Sequence, residues 1–330
     1  MQTNLNHDDA LNILILSCGT RNKIVQYFRR ELDGRGMVIA ADCSELAPAL
    51  YDAHRYFIVP HVNSHNYIET ILEICKKNRI KAVLSLIDPE LSILAKHRER
   101  FVEIGVLPVL SDYDVVELCL DKYRMAEFLQ ECGFLSAKSY ISKEAFLSDV
   151  ADGGISYPVF VKPVKGSASL HVSKAACREE LEFLLGRCDD LMIQEFLAGT
   201  ELGADVYIDL ISGEPVSIFV KEKIQMRAGE TDKSISIKDE KLFGLIADFV
   251  KKAGLKGIVD IDIFRDNGNY YISEVNPRFG GGYPHAHECG VNMVEMIIRN
   301  VQGLENKAVI GDYESGVHMM KFSEVFLKSD

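Results

Sequence analysis

The stretch from Ile258 to Gly282, IVDIDIFRDNGNYYISEVNPRFGGG, constrains this chain more than any other. Two runs rich in β-branched and aromatic residues, Ile258 to Phe264 and Tyr270 to Val275, flank Asn267-Gly268, a pair that supplies the positive φ values of a tight turn. The pattern predicts a β-hairpin. Side chains alternate along a strand, so Asp260 and Asp262 share one face of the first strand, and Glu274 and Asn276 share one face of the second. If those faces coincide, carboxylate and amide oxygens converge on one point. Such a set suits a hard cation such as Mg²⁺, which keeps water and phosphate oxygens as its other ligands. Pro277 ends the strand, and Arg278 follows as a permanently charged fork for a phosphate.

The rest of the composition narrows the partners. With 330 residues, 47% of them apolar, the chain is long enough for about two domains with a sizeable core. A net charge of -12 gives no general attraction to nucleic acid or to an anionic membrane, so a phosphate ligand must be held by a local cluster of cations. No apolar run approaches the ~20 residues of a bilayer span, and MQTNLNHDDA is not a signal sequence; a cytoplasmic protein is expected. Eight cysteines without a Cys-x-x-Cys pair argue against a zinc knuckle and are expected to be reduced, mostly core, residues.

Along the first 112 residues short apolar runs (Leu11 to Leu16, Met37 to Ala41, Ala53 to Val59, Ala82 to Ile87, Val106 to Leu110) alternate with helical spacings such as Ile68, Ile71, Leu72 and Cys75. Alternation of this kind implies parallel βαβ units and a Rossmann-like sheet. The first turn has one glycine, Gly19, where the dinucleotide fingerprint needs three, so Asp42 at the end of the second strand does not make this half an NAD site. Asp88 and Glu90, before a helix expected over Glu90 to Arg100, lie where such sheets collect ligands. Beyond Ser111 come helices over Asp114 to Leu120 and from Asp121 to Gly133, and strands at Tyr140 to Ser142 and Pro158 to Lys162 with a helix over Lys143 to Ala151 between them. A helix over Arg178 to Arg187 and a strand over Leu191 to Leu197 follow. Lys162-Pro163 precedes Lys165-Gly166-Ser167-Ala168-Ser169, a polar turn that can offer N–H groups and hydroxyls to phosphate. His285-Ala-His287, in a Gly-rich segment, is expected to be exposed or to face substrate rather than to hold a metal.

Taken in order, Asp121-Lys122, Phe160-Val161-Lys162-Pro163 with its Gly/Ser loop, Gln194-Glu195-Phe196-Leu197 with Glu201, Asp262, and Glu274-Val-Asn276-Pro-Arg278 resemble the ATP-grasp superfamily, and within it single-module relatives of the carbamoyl phosphate synthase large subunit. The resemblance implies an α/β and α+β architecture. A Rossmann-like domain over 1–112 would precede a two-lobed ATP-grasp domain over 113–330, with a lid at about 123–190 and a carboxyl-terminal part at about 191–330. It implies that Lys122 and Lys162 contact ATP phosphates, that Gly166, Ser167, Ala168 and Ser169 form a mobile loop over them, and that Gln194, Glu195, Phe196 and Leu197 frame the adenine. Glu201 would hold the ribose. Lys221 or Lys223 would supply a further phosphate cation. Asp262, with Asp260 as its rival, would join Glu274 and Asn276 around one or two Mg²⁺ ions, Mn²⁺ being an admissible substitute, and Arg278 would stabilise the transferred phosphoryl group.

The implied chemistry is ATP-dependent ligation of a small-molecule carboxylate to an amine or ammonia through an acyl phosphate. The Phe279-Gly-Gly-Gly-Tyr-Pro segment stands where the synthase is Ser-rich, which favours an organic acid over bicarbonate, in a pocket involving Lys221, Lys223, Arg227, Glu230 and residues 279–289. A second reading is a nucleotide-binding regulatory or partner subunit without ligation of its own. A homodimer is compatible with this size and fold.

Overall fold

The computed structural model describes residues 10–166 and 172–328. In the first half, β1 (Asn12–Leu16), β2 (Val38–Asp42), β3 (Arg55–Ile58), β4 (Ile80–Ser85) and β5 (Leu107–Pro108) form a parallel sheet in the order β3-β2-β1-β4-β5. The central strand reads as an unbroken apolar run because both of its faces are covered. Ile13 and Ile15 join the core that holds Val25 and Phe28 of α1 (Asn22–Leu32). Leu14 and Leu16 join the core of Ile71 and Leu72 from α2 (Tyr67–Lys77) and Leu94 from α3 (Asp88–Lys96). The helix expected over Glu90 to Arg100 is two helices: α3 ends at His97, whose N–H is shared between the carbonyls of Ile93 and Leu94, and α4 (Arg98–Glu103) follows.

Two helices, α5 (Tyr113–Leu120) and α6 (Lys122–Glu131), lead out of this layer, and the Asp121 side chain caps α6 by accepting from the Arg124 N–H at 3.0 Å. Next come β6 (Ser139–Tyr140), α7 (Lys143–Ala151), β7 (Val159–Pro163), β8 (Ser173–Ala175), α8 (Arg178–Leu185) and β9 (Leu191–Glu195), with the strands in an antiparallel sheet ordered β6-β9-β7-β8. Phe146 of α7 and Leu181 of α8 cover the Val159, Val161 and Ile193 face. The register pairs Phe160 with Gln194 and Lys162 with Met192, so these four side chains share the opposite face.

The largest sheet contains β10 (Thr200–Ile208), β11 (Pro215–Arg227), β12 (Glu230–Ile237), β13 (Gly257–Asp266), β14 (Asn269–Asn276) and β15 (His318–Met320), all antiparallel, in the order β14-β13-β10-β11-β12-β15. Its apolar face (Ala204, Val206, Val220, Val259, Ile261, Ile263) belongs to one core with Ile246 and Phe249 of α9 (Glu240–Lys252) and Ile297 of α11 (Met293–Val301). The β13–β14 hairpin turns at Asn267 (φ +48°) and Gly268 (φ +77°), the positive pair that Asn-Gly accommodates. Residues 279–289 are not all loop: α10 (Tyr283–Glu288) occupies most of the segment. All eight cysteines are free, but only Cys18, Cys75 and Cys119 are buried, so the expectation of mostly core cysteines is corrected. Among the described residues no helix is long and apolar enough to cross a membrane.

Candidate functional site

The second face of the large sheet is polar. Register places Asp262 opposite Glu274 and Asp260 opposite Asn276 on the hairpin, Gly203 opposite Asp262 and Asp205 opposite Asp260 on β10, and Lys221 opposite Gly203 on β11. Because a strand repeats every two residues, Glu201, Gly203 and Asp205 align with Lys221 and Lys223 to form a charged surface across four strands. Lys223 Nζ donates to Glu201 Oε1 at 2.8 Å and to Asp262 Oδ1 at 2.6 Å. Lys221, almost wholly buried, is bonded to Asp205, and both side chains are 1% exposed. Gly203 makes room for both lysines: a Cβ there would lie 3.1 Å from Lys223 Cε and 3.2 Å from Lys221 Cε.

Electrostatics separates these groups. Burial draws Lys223 down, but Asp262 and Glu201 outweigh it and the ammonium is held above its ordinary range. Glu274 is raised by burial and then by Asp262, with Lys122 and Lys162 pulling the other way. Asp260 is raised by burial and by the like charges of Asp262 and Asp205. The Arg278 fork donates from Nε and Nη2 to Asp88 Oδ2 at 3.2 and 3.1 Å, and its Nη1 stands 3.6 Å from Asp260. The three glycines after it press on this surface: a Cβ on Gly280 would fall 2.4 Å from Asp260 Oδ1, on Gly281 2.7 Å from Glu230 Cδ, and on Gly282 2.6 Å from Lys221 Cε.

The small sheet brings its own cations. Lys162 is buried and lowered to about 8, by desolvation first, with Glu274 and Asp262 raising it and Lys122 lowering it further. Lys122 Nζ donates to the Gly166 carbonyl, and its backbone N–H donates to Val164 O at 3.0 Å, tying the start of α6 to the end of β7. Gln194 is buried, with Nε2 donating to Ser139 Oγ at 2.9 Å, and Glu195 Oε2 accepts from the Lys138 N–H at 3.0 Å. Phe196 lies under the Lys174 ammonium, 3.8 Å from its ring centroid, and Leu197 follows the end of β9. Ser167, Ala168 and Ser169 lie outside the described residues. Asp88, Lys122, Gly166, Glu274 and Asn276 line one small cleft, with Leu91, Val116 and Leu120 on its apolar side.

Several expected positions fall elsewhere. Arg227 is half exposed beside Asp232 at 2.8 Å, at the β11–β12 tip. His285 and His287 are buried rather than exposed or substrate-facing, because α10 turns them into the core: His285 bonds Ser234 Oγ at 2.8 Å and Val317 O at 3.0 Å, and His287 stacks on Tyr27 with Nε2 2.6 Å from Arg30. Glu90 is fully buried, taking hydroxyls from Ser17, Tyr67 and Ser85. Asp42 caps Gly19 N–H at 2.9 Å. Sequence reasoning missed Asp205 and Arg21. The Glu201-x-Gly203-x-Asp205 alternation could have revealed the first; the second carries no local signal.

Mg²⁺ can be tested against these groups. Among the described residues no three His, Cys, Asp or Glu side chains gather as a metal cluster. The two acids Asp262 and Glu274, opposite one another on the hairpin, with the Asn276 amide two residues further on the same face, are an all-oxygen donor set of the kind a hard cation completed by ligand oxygens takes.

A parallel α/β layer followed by two antiparallel sheets, with Lys122 of α6 and Glu274 and Asn276 of β14 lining one cleft, makes a two-lobed α/β and α+β fold. Residues 119–282 match the ATP-grasp domain and residues 13–109 match the PylC-like N-terminal domain; the chain belongs to the ATP-grasp family. It is 24% identical over 272 residues to the carbamoyl phosphate synthase arginine-specific large chain of Geobacillus stearothermophilus, a match covering 78% of this chain and 25% of that one. It is 25% identical over 332 residues to the formate-dependent phosphoribosylglycinamide formyltransferase of Wolinella succinogenes, covering 92% and 77%. The biotin carboxylase domain of Hydrogenobacter thermophilus 2-oxoglutarate carboxylase, solved with MgADP, ADP and bicarbonate, shares the fold at a TM-score of 0.73 and 18% identity, covering 93% of this chain and 73% of that one. The chain spans about a quarter of the length of the synthase large chains it matches.

Proposed function

We propose that this protein is an ATP- and Mg²⁺-dependent ligase that activates a carboxylate as an acyl phosphate and joins it to an amine or ammonia with release of ADP and phosphate. The observation that carries the reading is the meeting of Lys122, at the start of α6, and Gly166, beyond the end of β7, with Glu274 and Asn276 of β14 in one cleft.

In the reaction the acid's oxygen attacks the γ-phosphorus of ATP, ADP leaves with the electron pair of the broken P–O bond, and the amine then displaces phosphate from the acyl carbon and loses a proton. Little covalent chemistry falls to the protein, whose task is to position reactants and offset charge. Lys122 and Lys162 suit the triphosphate, and Gln194 to Leu197 with Glu201 suit the nucleoside. Lys223, rather than the Asp205-bound Lys221, is the further cation, because it shares the Asp262 edge. Asp262 rather than Asp260 joins Glu274 and Asn276 in holding Mg²⁺, since Asp262 stands opposite Glu274 while Asp260 lies beneath Gly280 and beside Arg278. The ion, when bound, neutralises phosphate oxygens during transfer. Arg278, anchored by Asp88, offers its charge to the phosphoryl group; the small sheet with residues 123–190 forms a lid that excludes water from the acyl phosphate.

The test is ADP and phosphate release in the presence of ATP, Mg²⁺, and acid and amine pools. Release that requires both an acid and an amine, and disappears in Glu274→Gln, is expected; AMP and pyrophosphate as products would overturn the reading.

A further inference from the structure

Of the six buried side-chain atoms without a hydrogen-bond partner among the described residues, two belong to residues that follow β1 and β4. Arg21, next to the turn after β1, directs Nη2 to Glu230 Oε1 at 2.9 Å, while its Nη1 is buried with no hydrogen-bond partner among the described residues. Asp88, 4% exposed at the start of α3, gives Oδ2 to Arg278, while its Oδ1 is buried and likewise unpartnered among the described residues. A charged group with an idle buried donor or acceptor is costly to keep unless a ligand completes it.

The two atoms belong to one place. β1 and β4 are neighbours in the order β3-β2-β1-β4-β5, where the winding of the sheet reverses, and the loops beyond their carboxyl ends carry Arg21 and Asp88. Open α/β sheets collect ligands at such a point. Arg278 links the pair: it holds Asp88, stands 3.6 Å from Asp260, and its charge, after burial and Glu230, bears on Arg21. Glu230 is itself balanced by Lys321 at 2.8 Å, and Gly281 lies against it without a side chain. Asp88 also lines the cleft with Lys122 and Glu274, so a ligand on it adjoins the phosphate end.

We infer that Arg21 and Asp88 complete the substrate site, Arg21 Nη1 receiving a carboxylate and Asp88 Oδ1 a cationic nitrogen, so that one reactant is an amino acid. The inference rests on the ligase reading for its reaction but not for its ligand. A simple carboxylate would leave Asp88 idle, and ammonia would leave Arg21 idle; a zwitterion satisfies both. Arg21 is then a specificity residue contributed by the PylC-like half.

The experiment uses the full chain with ATP and Mg²⁺, an equimolar pool of the twenty common L-amino acids, and separately acetate with ammonium chloride. Thermal shift of the protein with each mixture, without ATP, gives a readout independent of turnover. The pool should raise the melting temperature and stimulate ADP release, and acetate with ammonium should do neither. Arg21→Lys keeps the charge beside Glu230 but loses the planar second N–H edge; KM for the active amino acid should rise roughly 10-fold or more. The carboxamide of that amino acid should be poor for the wild type and no poorer for the variant. If acetate and ammonium serve as well as the pool, or the carboxamide as well as its parent, the inference falls while the ligase reading stands. If the pool stabilises the wild type but not Arg21→Lys, and no mixture releases ADP, the ligase reading falls and the amino-acid site stands. A pool that neither binds nor stimulates overturns the inference.

Discussion

Lys223 Nζ lies 2.6 Å from Asp262 Oδ1, so a carboxylate assigned to a metal ion is held by a lysine from two strands away. The ammonium also bonds Glu201 at 2.8 Å, and it occupies the Asp262 edge that a cation would share. Replacing it in Lys223→Met leaves two facing carboxylates. Their side chains are 32% and 24% exposed, so the cost is reduced below that of a dry broken pair, to about 1–3 kcal/mol. Urea unfolding should show that loss and Mg²⁺ should partly reverse it, since the ion replaces the missing charge. Equal stability of variant and wild type would contradict this.

Lys162 supplies a pH dependence. Burial lowers its pKa to about 8, and a bound phosphate would raise it again, so its contribution to nucleotide affinity is complete below about pH 8 and declines as pH rises through that value. Titration of ATP by calorimetry between pH 7 and 9 should show up to roughly a tenfold rise in Kd per unit above 8, the limit for loss of one proton. Lys162→Arg should flatten the profile; a wild-type profile already flat would remove Lys162 from the phosphate site.

The glycines after Arg278 make a steric prediction. An alanine at 280 or 282 places Cβ within 2.4 Å of Asp260 Oδ1 or 2.6 Å of Lys221 Cε, and these partners are locked by other bonds. Gly282→Ala should cost about 1–3 kcal/mol, as overpacking does. Gly203→Ala, whose nearest contacts are Lys223 Cε and Lys221 Cε at the longer 3.1 and 3.2 Å, should cost less. Comparison of melting temperatures checks the order, and the reverse order would contradict it.

His285 and His287 should govern the acid limb of stability. Burial lowers both to about 4, so the folded state keeps them neutral while the unfolded chain protonates them near 6.5. The unfolded state therefore binds more protons between those values, and stability falls as pH drops from about 6.5 toward 4, by up to roughly 3 kcal/mol for each. His285→Gln with His287→Gln should give a shallower decline in chemical denaturation across that window.

Much of the fold could be read from local pattern. Asn267-Gly268 and the alternation on either side define the hairpin, and strict period-two spacing puts Asp262, Glu274 and Asn276 on one surface wherever the strands pair in this register. The apolar runs of the first half similarly announce parallel strands covered on both faces. The end of α3 at His97, the helix within residues 279–289 and the burial of its histidines were not legible, because each depends on what packs against it.

What the sequence by itself determined is therefore the periodic part: which stretches become strands and helices, and which chemical groups share a face. Tertiary structure alone decided which of two lysines meets Asp262, that Asp205 neutralises the other, and that Asp88 steadies an arginine 190 residues later. Strand alternation is a property of one chain segment, whereas a buried charge acquires its partner only when separate segments close around it and exclude water.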